Sequence, residues 1–171
     1  KFGNLWDDDA GEQYRAKGRI RTIDSLAVPL LGGLRTDAVR NLGYFDGSLE
    51  GMHKNPFESV APKYAILDDA RYFRSFNFDT ELRNRPLEPI WSNLVSDLLM
   101  ELERIQPDIV ATPHPLLDSH RDHKYTTVAL VEALKRWNRP CTIYLYTNHA
   151  TGNEAYPFGP RDGVVGLPPI E

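Results

Sequence analysis

Cysteine is almost missing from the chain. Cys141 is the only one in 171 residues, so no internal disulfide can form, and the apolar run around it predicts a small core residue rather than a nucleophile. Such cysteine usage is compatible with a cytoplasmic protein. Long apolar stretches are also lacking, which excludes a membrane-spanning helix. Positive charge is in deficit: 20 Lys and Arg face 24 Asp and Glu, giving a formal charge of −4. No broad phosphate-binding field is expected, and nucleic acid is excluded as a partner class. No Gly-rich phosphate loop, nucleophile elbow or Cys-x-x-Cys pair occurs.

What is present suits a folded domain. With 41% hydrophobic and 26% charged residues, and with 12 Gly and 13 Pro, the composition fits neither a disordered tail nor a collagen-like repeat. The length predicts one compact domain over residues 1–171. The start, Lys1-Phe2-Gly3-Asn4-Leu5-Trp6, and the Pro-rich end, Gly166-Leu167-Pro168-Pro169-Ile170-Glu171, read as cuts from a longer chain.

Two segments carry a helical period. Ile90, Trp91, Leu94, Val95, Leu98, Leu99, Leu102 and Ile105 form one apolar stripe, with Pro86 and Pro89 at its start and Pro107 at its end. A second helix is predicted from Asp122 to Trp137 and stopped by Asn138-Arg139-Pro140. Asp108 to Thr112 reads as a buried parallel strand, and the β-branched and aromatic run Cys141 to Tyr146 as a further strand. The alternation predicts an α/β fold with a Rossmann-like, doubly wound and mainly parallel sheet, present as an incomplete copy. In the first half, Gly18 to Leu31 is predicted helical and Asp37 to Leu42 a strand. From Ser48 to Arg85 no period stands out.

The chemistry concentrates in Thr112-Pro113-His114-Pro115-Leu116-Leu117-Asp118-Ser119-His120-Arg121-Asp122-His123, which holds three of the five histidines. This segment leaves a predicted strand at its carboxyl end and enters a helix, where open α/β sheets place ligands. His120 and His123 lie three residues apart at the helix entry with Asp122 between them. Imidazole is a good ligand for zinc-like metals, and a neighbouring carboxylate can fix a ring's tautomer. One histidine can then hold metal while the other serves as an acid. His149, after the second strand, is placed to reach the same cleft. His114, between two prolines, is either a cleft-wall residue or a strand-end residue bonded to backbone. His53 reads as structural, and Asp7-Asp8-Asp9 as a solvated acidic run.

The run Asp118-Ser119-His120-Arg121-Asp122-His123, emerging from Thr-Pro-His-Pro, resembles the second signature of the PIG-L or LmbE-like deacetylases, a zinc-dependent family acting on N-acetylglucosaminyl compounds. Arg21 and Asp24 leading to Leu31-Gly32-Gly33 resemble that family's Arg-x-x-Glu helix. Asn41-Leu42-Gly43-Tyr44-Phe45-Asp46-Gly47 resembles its LGY-x-DG loop, and Asn148-His149 with Tyr156-Pro157-Phe158-Gly159-Pro160 looks like a longer subgroup. The resemblance implies a hydrolase that removes the N-acetyl group from an amino-sugar conjugate by metal-activated water. It makes His123 a zinc ligand, His120 the charged imidazole facing the substrate and Asp122 its orienting carboxylate, with Arg21 and Asp46 lining the sugar pocket. The family's first signature, His-Pro-Asp-Asp-Glu, has no counterpart here, so the remaining Zn2+ ligands are expected in a segment before Lys1. Two other readings compete. A metallo-β-lactamase-like hydrolase would share the His-x-Asp-His element, and a non-catalytic carbohydrate-binding or interaction domain would keep the fold without the metal.

Overall fold

The computed structural model describes residues 10–62, 67 and 69–149. The acidic run at residues 7–9 and the stretch at 156–160 lie outside the described residues. The chain divides into two compact units, residues 1–97 and 98–171. Among the described residues no helix is long and apolar enough to cross a membrane. The fold is mixed α/β, with five α-helices among the described residues, α1 (Ala10–Leu31), α2 (Leu49–Lys54), α3 (Thr80–Asn84), α4 (Trp91–Ile105) and α5 (Arg121–Trp137), and two strands among them, β1 (Ile109–Pro113) and β2 (Thr142–Tyr146).

In the first unit α1 begins eight residues before the expected Gly18. Gly18 is not a helix start. A Cβ there would lie 2.6 Å from the Phe73 ring, so glycine lets that ring pack against the helix backbone. Pro29 sits in the last turns, and Gly33, at φ 88°, ends the helix. The strand expected over Asp37 to Leu42 is absent. A 3-10 turn occupies Thr36–Ala38, and the extended chain beyond it is satisfied by a side chain instead of a neighbouring strand. Asn77 Oδ1 accepts the Asn41 N–H at 2.7 Å while its amide nitrogen donates to the Asn41 carbonyl, also at 2.7 Å. Asp46 therefore follows a loop, not a strand end.

That loop is built around a buried ionic cluster. Arg74, fully buried, donates to Asp97, to the Leu42 carbonyl at 2.8 Å and to the Pro86 carbonyl at 3.2 Å. Asp97 also accepts from Arg85 at 2.9 Å and from the Tyr44 hydroxyl at 2.9 Å. Burial first, and the Asp97 charge second, push the Tyr44 phenol above its ordinary range. Gly43, at φ 78°, passes over Arg74 so closely that a Cβ would come within 2.7 Å of its backbone nitrogen. The conformation and the space both demand glycine here. The same unit has an apolar core, with Phe45 edge-on to Phe73 at 6.5 Å and Met52, Leu82 and Val95 buried. His53 packs edge-on against Trp91 at 4.7 Å, in line with a structural role.

The second unit carries the sheet. β1 and β2 pair in parallel, Ile109 opposite Thr142 through Pro113 opposite Tyr146, and α5 connects them and packs on β1. The parallel pair and its helical crossover agree with the sequence. Burial agrees less well: only Thr112 and Pro113 of β1 are buried and all of β2 is exposed. Among the described residues the sheet has two strands, so α5 has little sheet to cover. Cys141 is half-buried, not a core residue. At the buried end of β1, Thr127 of α5 bonds the Pro113 carbonyl, and its hydroxyl lies 2.7 Å from that of Thr112. Both helix stops act as read from sequence. Gln106 (φ 50°) precedes Pro107, and Asn138 (φ 53°) donates its N–H to the Leu134 carbonyl ahead of Pro140.

The ionic cluster yields a stability prediction. Asp97→Ala leaves Arg74 buried without its carboxylate, a loss expected to cost about 3–5 kcal/mol. Urea denaturation checks it, and a loss under about 1 kcal/mol would show that the pair contributes no more than an exposed one.

Candidate metal centre

The site grows from one carboxylate. Asp118, fully buried, lies in the loop between β1 and α5. One oxygen accepts the His120 N–H at 2.9 Å, a turn formed two residues ahead within the same loop. The other accepts from three groups: His123 Nδ1 at 3.1 Å, the Asn148 N–H at 2.9 Å and the His149 N–H at 3.3 Å. The loop after β1 is thus bound to the loop after β2. Two main-chain bonds reinforce the join, from the His114 N–H to the Tyr146 carbonyl and from the Ser119 N–H to the His149 carbonyl, both at 2.6 Å.

Burial acts to raise the Asp118 pKa. The backbone donors of Asn148 and His120, the His123 ring and the His149 N–H outweigh it and hold the carboxyl well below the usual carboxylate range. An ionised carboxylate only accepts, so His123 carries its proton on Nδ1 and its Nε2 lone pair remains available. This is the arrangement by which a carboxylate orients a metal-ligating histidine.

Two further rings gather around that pair. His120 lies 4.7 Å from His123, His149 lies 5.2 Å from His123, and His120 and His149 are 5.8 Å apart, all between ring centroids. His120 occupies the position just before α5 and makes no side-chain cap. One of its ring nitrogens lies within 4.8 Å of an Asp122 carboxylate oxygen. The structure therefore brings together His120, Asp122 and His123 as read from sequence, with His149, expected to reach the same cleft, beside them. The carboxylate that bonds His123 is Asp118, a role that the sequence reading did not assign. Its signal was faint: an Asp two residues before the residue that precedes a helix, a common turn-forming place.

His114 behaves differently. Its Nδ1 accepts the N–H groups of Leu116 and Leu117, both at 3.1 Å, so the ring closes its own loop. Arg21 and Asp46 belong to the first unit. They form an ion pair at 3.8 Å with both side chains more than half exposed, and Tyr14 donates to the Asp46 carbonyl at 3.2 Å. An exposed pair at that distance adds little stability and leaves both groups accessible. In comparisons with known proteins, no family model, no curated protein and no solved structure matches the chain.

The depressed Asp118 pKa sets a pH dependence. The stability contributed by a carboxylate with a lowered folded-state pKa is full above its unfolded value, about 3.9, and is lost as pH falls through the folded value. Urea denaturation between neutral and acidic pH is expected to show wild-type stability falling below about pH 4, with a shallower fall for Asp118→Asn. Equal slopes would place the acid sensitivity elsewhere.

Proposed function

We propose that the chain belongs to a zinc-dependent hydrolase that removes the N-acetyl group from an N-acetylglucosamine-containing small molecule, with the metal held in part by His123. One observation carries the reading: buried Asp118 bonds His123 Nδ1 at 3.1 Å and leaves the opposite ring nitrogen available as a ligand. The donor set supports a borderline metal such as zinc, since imidazole nitrogen beside carboxylate oxygen is its usual company.

A divalent metal bound there supplies Lewis-acid polarisation of the acetamide carbonyl and lowers the pKa of water. Residues of the chain would help to hold that metal and would assist the departure of the amine. His123 holds the ion through Nε2, and Asp118 keeps that ring from turning. His120, 4.7 Å from His123 between ring centroids, is placed to stabilise the developing oxyanion and to give a proton to the departing amine. Asp122 orients His120. We also assign the parallel pair of β1 and β2 to a Rossmann-like, doubly wound sheet. The placement of both histidine-bearing loops at the carboxyl ends of parallel neighbours supports this, since such sheets bind ligands there.

Zinc uptake and amine release from N-acetylglucosamine conjugates test the reading together. His120→Ala is expected to keep zinc and lose about 10²–10⁴-fold in rate. Asp118→Asn is expected to weaken zinc binding by about 10–100-fold. Full activity in His120→Ala, or unchanged zinc affinity in Asp118→Asn, would refute the assigned roles.

A further inference from the structure

We propose that His149 ligates the same divalent metal as His123, so that the loops after β1 and β2 supply one imidazole each. This rests on the reading of the site as a metal centre and goes beyond it, because the sequence resemblance gives His149 no role. Three main-chain hydrogen bonds tie its segment to the site. The Asn148 and His149 N–H groups donate to Asp118, and the His149 carbonyl accepts from Ser119. The same carboxylate that orients His123 thus anchors the backbone that carries the second ring.

The spacing agrees with shared ligation. With Zn–N bonds of about 2.0–2.1 Å and a tetrahedral angle, two imidazole centroids stand roughly 5 Å apart. His123 and His149 stand 5.2 Å apart. Their planes are inclined by 24°, so a turn of the exposed His149 side chain about its terminal torsion is what aims a ring nitrogen at the ion. His123 is already held by Asp118. Charge points the same way: Asp118 and Asp122 stand beside the imidazoles, and two carboxylates in such a cluster favour a cation over an anionic ligand. Nitrogen donors with carboxylates select the zinc class over calcium or magnesium. His120 keeps its role as the acid, which lets ligand and acid be told apart by experiment.

The test is a zinc titration of the whole chain against a chromophoric chelator, with His123→Ala, His149→Ala and His120→Ala beside the wild type. His123→Ala and His149→Ala are each expected to weaken binding by at least about tenfold, and His120→Ala by less than about threefold. The ring-nitrogen NMR signals of His149 in the wild type are expected to shift on zinc addition, a readout that survives if a variant misfolds. Wild-type affinity in His149→Ala with unmoved His149 signals would overturn this inference and leave the metal centre at His123 standing. A loss in His120→Ala equal to that in His123→Ala would overturn the two-ligand assignment. Absence of zinc uptake by the wild type would overturn both this inference and the proposed function.

Discussion

A buried carboxylate with no solvent to stabilise it survives only if donors replace the lost water, and Asp118 has four of them. They come from three places in the chain: the adjoining loop, the first turn of α5 and the loop after β2. The local donor closes the turn into the helix. The helical donor fixes the His123 ring, and the distant donors bring the two strand-end loops together. Parallel pairing of β1 with β2 makes the last step possible, because it puts both carboxyl ends side by side. Removing the charge would loosen the turn, the ring and the join between loops at once.

The first unit also buries a carboxylate and handles it differently. Asp97 is compensated by the guanidinium groups of Arg74 and Arg85 and by the Tyr44 hydroxyl. Arg74 in turn spends other donors on the Leu42 and Pro86 carbonyls. Every group there is committed to holding loops, so the cluster is structural. Asp118 is compensated mainly by backbone N–H groups, and its one side-chain donor is an imidazole with a second nitrogen to spare. The difference between a structural and a chemically competent buried acid lies in what its partner has left over.

Periodicity served the sequence reading well where one element packs on one neighbour. The stripe of α4, the extent of α5 and the two parallel strands were legible, as was the gathering of His120, Asp122 and His123. Errors arose where a residue answered to something distant. Gly18 looked like a helix boundary because nothing nearby announces the Phe73 ring that it admits. Asp37 to Leu42 looked like a strand because its extended chain is satisfied by the Asn77 amide, thirty-six residues from Asn41. β1 reads as a buried strand, yet only Thr112 and Pro113 of it are buried. The role of Asp118 is not legible in the sequence because three of its four donors are backbone groups, which carry no side-chain signature, and two lie beyond the next strand.

Residue type alone would have treated the histidines of the His114–His123 segment alike. The deciding difference between His114 and His123 is what Nδ1 does. At His114 it accepts two backbone N–H groups, so its lone pair is consumed in closing a loop. At His123 it donates to an ionised carboxylate, so the free lone pair sits on Nε2 at the far side of the ring. The partners of Nδ1 have opposite consequences for the two rings: at His114 the acceptor nitrogen is used within the loop, and at His123 the nitrogen opposite the carboxylate is left over. A metal needs the second arrangement. The neighbours of Nδ1 therefore rank these two histidines as ligands more decisively than their spacing along the helix does.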